Sequence, residues 1–125
     1  MNDERGTMNE KPDLKTRTKD FALRIIRLYS SLPRSPEAQV LGKQVLRSGT
    51  SVGAQYRKAR RARSDAEFIS KIESALQELE ETTYWMELLA DAKIVKRARL
   101  DALLHESEEL TAIFVSSAKT AKNRM

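Results

Sequence analysis

Cysteine is absent from these 125 residues, histidine occurs once, and there are only three prolines, four glycines and 6% aromatic side chains. Without thiols the chain can form neither a disulfide nor a thiolate metal site. The lone histidine, His105, has Ala102 three residues before it, so the paired Glu-x-x-His signature of di-metal bundles is missing. His105-Glu106-Ser107-Glu108-Glu109 is not a zinc helix either, because its fifth position is not histidine. No glycine-rich loop of Walker or Rossmann spacing offers a phosphate cradle. No run of about 18 apolar residues spans a bilayer, and Met1-Asn2-Asp3-Glu4-Arg5 lacks the apolar stretch of a signal peptide, so a cytoplasmic location without membrane contact is expected. These absences leave no cofactor, no metal and no obvious nucleophile, and they argue against an enzyme.

What remains is 40% apolar and 33% charged, rich in Ala, Leu, Glu, Lys and Arg. That composition favours helix, and the scarcity of aromatics makes the core aliphatic. The net charge of +5 is unevenly spread: residues 34–63 carry eight basic side chains and one acid, whereas residues 64–91 carry one basic side chain and eight acids. Two neighbouring helices of opposite charge are implied, with the surplus on their outer faces.

Residues 1–12 show no periodicity and contain Gly6 and Pro12, the pattern of a disordered lead-in; residues 13–125 form the expected domain. Leu14, Phe21, Ile25, Leu28, Tyr29 and Leu32 are helically spaced over about 13–32 and stop at Pro33. Ser35-Pro36-Glu37 combines an N-cap, a first-position proline and a first-turn acid, opening a second helix over about 35–63. Its stripe of Ala38, Leu41, Val45, Ser48, Val52, Tyr56 and Ala59 keeps phase across Gly49–Gly53, so one unbroken helix is expected despite poor local propensity. Gly42, Gly49 and Gly53 form a second stripe, either a close approach of a neighbouring helix or a subunit contact. Ser64-Asp65-Ala66-Glu67 is a capping box for a third helix over about 64–91. Its stripe of Phe68, Ile72, Leu76, Leu79, Thr83, Met86 and Ala90 is widened by Ile69, Trp85, Leu88 and Leu89, so it packs on two sides. Leu100, Leu103, Ser107, Leu110, Phe114, Ala118 and Ala121 mark a fourth helix over about 97–122. Four helices with short links predict an all-α, antiparallel up-and-down bundle.

The densest chemical signal is Tyr56-Arg57-Lys58-Ala59-Arg60-Arg61-Ala62-Arg63. Its helix-terminal position accounts for part of the charge, since the macrodipole favours cations in a last turn. The rest need partners, either Asp65 and Glu67 or phosphates from outside. Arg47, Lys43, Arg24 and Arg27 could extend this surface, with Lys119, Lys122 and Arg124 as a mobile tail. Such a surface reads charge and shape rather than base sequence. A competing catalytic reading rests on Arg99 and His105, whose Arg-x5-His arrangement resembles the motif of helical-bundle ribonucleases of the HEPN class, with His105 as general acid/base.

Several segments together resemble the four-helix-bundle family encoded in intervening sequences of bacterial large-subunit (23S) ribosomal RNA genes. They are Leu46-Arg47-Ser48-Gly49-Thr50-Ser51-Val52-Gly53-Ala54-Gln55-Tyr56-Arg57, Glu67-Phe68-Ile69, Glu81-Thr82-Thr83-Tyr84-Trp85-Met86-Glu87-Leu88-Leu89, and Asp20-Phe21-Ala22-Leu23-Arg24-Ile25-Ile26. The similarity covers about residues 14–122. Gln55 departs from it, the family more often carrying asparagine there. The resemblance implies a bundle that assembles as a ring-like homopentamer. It also implies a relationship to the accessory variability determinant of diversity-generating retroelements, a basic pentamer that binds nucleic acid and its reverse transcriptase. On that basis Arg47, Arg57, Lys58, Arg60, Arg61 and Arg63 become candidate contacts for RNA or DNA, alongside a reverse transcriptase as possible partner. Tyr84 and Trp85 join Gly42, Gly49 and Gly53 as candidate residues of helix or subunit seams, the Trp85 indole donor being expected to find an acceptor. The alternative is a structural or protein-interaction oligomer whose charges serve solubility and subunit pairing.

Overall fold

A computed structural model describes residues 13–125; the expected lead-in over 1–12 lies outside the described residues. Four helices follow one another: α1 (Leu14–Ser30), α2 (Pro36–Arg60), α3 (Asp65–Asp91) and α4 (Arg97–Asn123). The described residues contain no strand. Each of the first three helices begins at a side-chain cap. Asp13, Ser35 and Ser64 accept from the amides of Thr16, Ala38 and Glu67, at 2.9, 3.4 and 3.0 Å. Asp13 is held below the usual carboxylate range chiefly by that Thr16 amide, with a smaller contribution from the charge of Arg60. α4 begins at Lys96, whose side chain makes no capping bond.

The chain forms an antiparallel up-and-down four-helix bundle. α2 packs closely on α3, α1 on α2 and α4 on α3, while α1 and α4 approach at few positions. Its core is Phe21 and Ile25 from α1, Val45 and Val52 from α2, Ile72, Leu79, Met86 and Leu89 from α3, and Leu100, Leu110 and Phe114 from α4, all fully buried. On α3 the buried line runs Ile69, Ile72, Ala75, Leu79, Thr82, Met86 and Leu89. It is rotated from the expected stripe, so Phe68, Leu76 and Thr83 are half-buried. A helix clasped between two neighbours buries the line between them and leaves each flank partly open. Ser48 and Ser107 keep their places in the buried stripes because each meets a hydroxyl of α3: Thr82 Oγ1 lies 2.8 Å from Ser48 Oγ, and Thr83 Oγ1 lies 2.9 Å from Ser107 Oγ.

α2 runs unbroken through Gly49–Gly53, and its glycine stripe faces α1 of the same chain. A Cβ on Gly49 would stand 2.8 Å from Ile25 Cγ1, and one on Gly53 would stand 3.1 Å from Thr18 Oγ1. The helix ends at Arg60, three residues before the expected Arg63. Arg61 is its C-cap, and the backbone N–H of Arg63 donates to Glu67 Oε1 at 3.0 Å, within the capping box of α3. The same box cannot be satisfied if α2 continues through Arg63. α4 extends to Asn123, and two of the three side chains expected as a mobile tail are fixed on α3: Lys122 pairs with Glu73 at 3.1 Å and Arg124 with Asp65 at 2.9 Å.

Candidate nucleic-acid interface

Where α2 ends, Tyr56 turns inward and stacks on Phe114, with ring centroids 5.7 Å apart at 19°. Burial raises its phenol pKa. With Tyr56 and the buried Ala59 anchored, the intervening residues of the last turn face solvent, so Arg57, Lys58, Arg60, Arg61 and Arg63 are all exposed. Arg57, Arg60 and Arg61 line one small cavity of about 230 Å³ with Lys15 from the first turn of α1. Lys15 was not among the residues singled out from the sequence, because its proximity depends on the antiparallel pairing of α1 with α2.

The acids expected to neutralise this cluster are engaged elsewhere. Asp65 accepts from Arg124 Nη2 at 2.9 Å, raising the already high pKa of that guanidinium, and Glu67 caps α3. Among the described residues, none of Arg57, Lys58, Arg60, Arg61 and Arg63 forms an ion pair. Five cations therefore converge on one pole, beside the negative end of the α2 dipole. This pole can hold phosphate oxygens by charge-assisted hydrogen bonds.

Arg47 does not belong to this cluster. It lies mid-helix and bonds Glu78 and Glu81 of α3 through Nη1 and Nη2, so the structure makes it an inter-helix clamp. Arg24 and Arg27 also lie away from the pole, at the far end of α1. Tyr84 is exposed and meets Trp85 edge-on, with centroids 5.1 Å apart at 62°. Trp85 packs against the core, but its Nε1 is enclosed without an acceptor among the described residues, contrary to the expected satisfied donor.

Arg99 and His105 are given different partners. Arg99 Nη2 donates to Ser31 Oγ at 2.8 Å, while His105 Nε2 lies 2.9 Å from Glu109 Oε2 on its own helix. The cavity that Arg99 lines with Arg24, Arg27 and Ser31 does not include His105, and the two side chains point about 120° apart round α4. Nor do the described residues contain a group of three or more His, Cys, Asp or Glu arranged to hold a metal. No described helix is long and apolar enough to cross a membrane.

The fold and its basic pole define a small four-helix bundle with a cationic cluster where α2 ends. The model of the family described as 23S rRNA-intervening sequence protein matches residues 10–116, and the chain belongs to that family. A solved relative is a protein with unknown function from the S23 ribosomal protein family of Bacteroides thetaiotaomicron VPI-5482. It is 39% identical, superimposes with a TM-score of 0.80, and is matched over 86% of this chain and 99% of its own. No curated protein matches the chain.

Proposed function

We propose that this protein is a non-enzymatic, cytoplasmic homo-oligomer that holds RNA or DNA on the pole formed by Arg57, Lys58, Arg60, Arg61 and Arg63. The observation that carries this reading is the set of five exposed cations that form no ion pair among the described residues, Asp65 and Glu67 being committed to Arg124 and the α3 cap. Recognition runs through phosphates, so it is independent of base sequence. A ring of five copies would repeat the pole around an axis and multiply weak contacts by avidity. In that form the protein serves as an accessory to a nucleic-acid enzyme such as a reverse transcriptase.

The test is fluorescence anisotropy with labelled single-stranded and structured RNA and DNA across a salt series. If about five phosphates are neutralised, log K falls with log salt at a slope of about −4 to −5. Changing Arg57, Lys58, Arg60 and Arg61 to Glu is expected to abolish binding while leaving the oligomer intact. Absence of binding at low salt by an intact oligomer overturns the reading.

A second reading is favoured by a groove between α3 and α4. Its volume is about 760 Å³, with Leu76, Tyr84 and Val115 in its lining and Glu73, Glu80 and Glu87 along it. An apolar floor with an acidic rim suits a protein surface better than a nucleic acid, and under this reading the chain is a protein-interaction oligomer.

A further inference from the structure

The seam between α1 and α4 is the loosest in the bundle, and its two ends are built differently. At one end Arg17 is 9% exposed and donates to Glu106 Oε1 at 2.6 Å and Oε2 at 3.0 Å, and to Glu109 Oε1 at 2.8 Å. At the other, three arginines converge with no such compensation. Arg24 and Arg27 of α1 and Arg99 of α4 line a cavity of about 240 Å³, closed on its inner side by Leu28 and Leu103. None of the three forms an ion pair among the described residues.

Arg27 alone is explained by its place in the last turn of α1, where the macrodipole favours a cation. Arg99 has the opposite setting: it is the third residue of α4, at the positive end of that helix. Its one located partner is the neutral Ser31 hydroxyl, at 2.8 Å. Asp101, two residues further on, points to a different side of α4 and lies 4.0 Å from Arg97, so it offers Arg99 no carboxylate. Lys96 supplies no side-chain acceptor to the first turn of α4, so the amides there add to the positive potential rather than being capped. Three guanidiniums brought together against a helix N-terminus repel one another unless an anion lies between them. The cavity is below the about 300–1,000 Å³ of sites for drug-sized ligands, and guanidinium forks match the tetrahedral oxygens of a phosphate group.

We infer that the cavity lined by Arg24, Arg27 and Arg99, with the Ser31 hydroxyl, is a phosphate-binding site, distinct from the basic pole and at the opposite end of the bundle. The phosphate group is either a free inorganic anion or the terminal phosphate of a nucleic-acid strand, and the guanidiniums recognise the same oxygens in both.

Isothermal titration of sodium phosphate into the full chain in a zwitterionic buffer tests the site. One saturable event per chain is expected. Arg24→Gln and Arg99→Gln should each weaken it about tenfold, the usual loss for one charged hydrogen bond, whereas Arg57→Gln leaves it unchanged. All three side chains reach solvent, and unchanged circular dichroism melts verify that the variants fold. A heat that sodium chloride reproduces, or a phosphate affinity insensitive to both Arg24→Gln and Arg99→Gln, overturns the site whatever the fate of the basic pole. Comparing one oligonucleotide with a 5′-phosphate and with a 5′-hydroxyl then separates the sources. Tighter binding of the phosphorylated form that disappears in Arg99→Gln assigns the site to a strand end; equal affinities, with inorganic phosphate still bound, assign it to the free anion.

Discussion

Arg17 shows how one side chain ties distant parts of the chain together. Its guanidinium joins α1 to α4 across 89 residues of sequence, and the hydrogen bonds it donates to Glu106 raise an already high pKa. Arg17→Met removes the donor and leaves Glu106, largely enclosed, without its partner, while Glu109 keeps water and His105. Exposed pairs contribute up to about 1 kcal/mol and breaking buried ones costs about 3–5 kcal/mol; with Glu109 partly open to water, a loss of about 2 kcal/mol is expected in urea denaturation. The same cluster sets an acid limit. Hydrogen bonding from Arg17, then the nearby charge of His105, lowers the pKa of Glu109. A carboxylate with a depressed folded pKa adds stability above its unfolded value of about 4.5, and that stability is lost as the pH falls through the folded value. Denaturation midpoints should therefore drop below about pH 4.5, and that part of the pH dependence should flatten in Arg17→Met.

The glycines of α2 make a graded prediction at the same level. A Cβ on Gly49 would press on Ile25 Cγ1 at 2.8 Å and Cγ2 at 3.0 Å, atoms of a fully buried, β-branched side chain that cannot swing away. At Gly42 the closest atom is Leu32 Cδ1 at 2.7 Å, the far end of a flexible side chain. Alanine gains up to about 1 kcal/mol of helix propensity at both sites. Gly49→Ala should still lose about 1–2 kcal/mol through overpacking, while Gly42→Ala should stay within about 1 kcal/mol of wild type. Equal thermal melts for the two variants would contradict this account of the stripe.

The helices differ in how completely their ends are satisfied. α3 begins with a reciprocal pair of side-chain bonds, Ser64 Oγ accepting from the Glu67 amide and Glu67 Oε1 from the Arg63 amide, both at 3.0 Å. Ser64→Ala should cost about 1 kcal/mol. It should also disturb the link that sets where Arg61 and Arg63 stand, because the box is what stops α2 at Arg60. α4 is the converse case: Lys96 already has the extended backbone of an N-cap, φ −65° and ψ 135°, but lacks a side-chain acceptor. Lys96→Ser should therefore stabilise the protein by about 0.5–1 kcal/mol, read as a raised denaturation midpoint. That gain requires no movement of the helix.

Across the whole bundle, several large apolar side chains stay open to solvent. Leu23 and Ile26 are 41% and 42% exposed on α1, Val40 is 61% exposed on α2, and Tyr84 and Val115 are 53% and 51% exposed beside the acidic groove. In the proposed homopentamer, part of this surface is buried between copies, and light scattering should return five times the chain mass of 14.2 kDa. Tyr84→Glu adds a fourth acid to a groove that already holds Glu73, Glu80 and Glu87, and should lower that mass if the groove is a subunit contact. A wild-type chain that scatters as one copy would remove the ring from the proposal.

Helix periodicity, the Ser35 and Ser64 caps and the basic run after Tyr56 were legible along the chain because each is written within about two helical turns. A helix is a local object: its capping bonds join residues three or four apart, and its buried stripe repeats in step with its own turn. What no local pattern carried was the rotation of each helix against its neighbours. That rotation turned the glycines toward α1, gave Arg47 to Glu78 and Glu81, and gathered Arg24, Arg27 and Arg99 around one cavity. These outcomes follow from how side chains from four helices fill one close-packed interior, and packing of that kind exists only once all four helices are in contact.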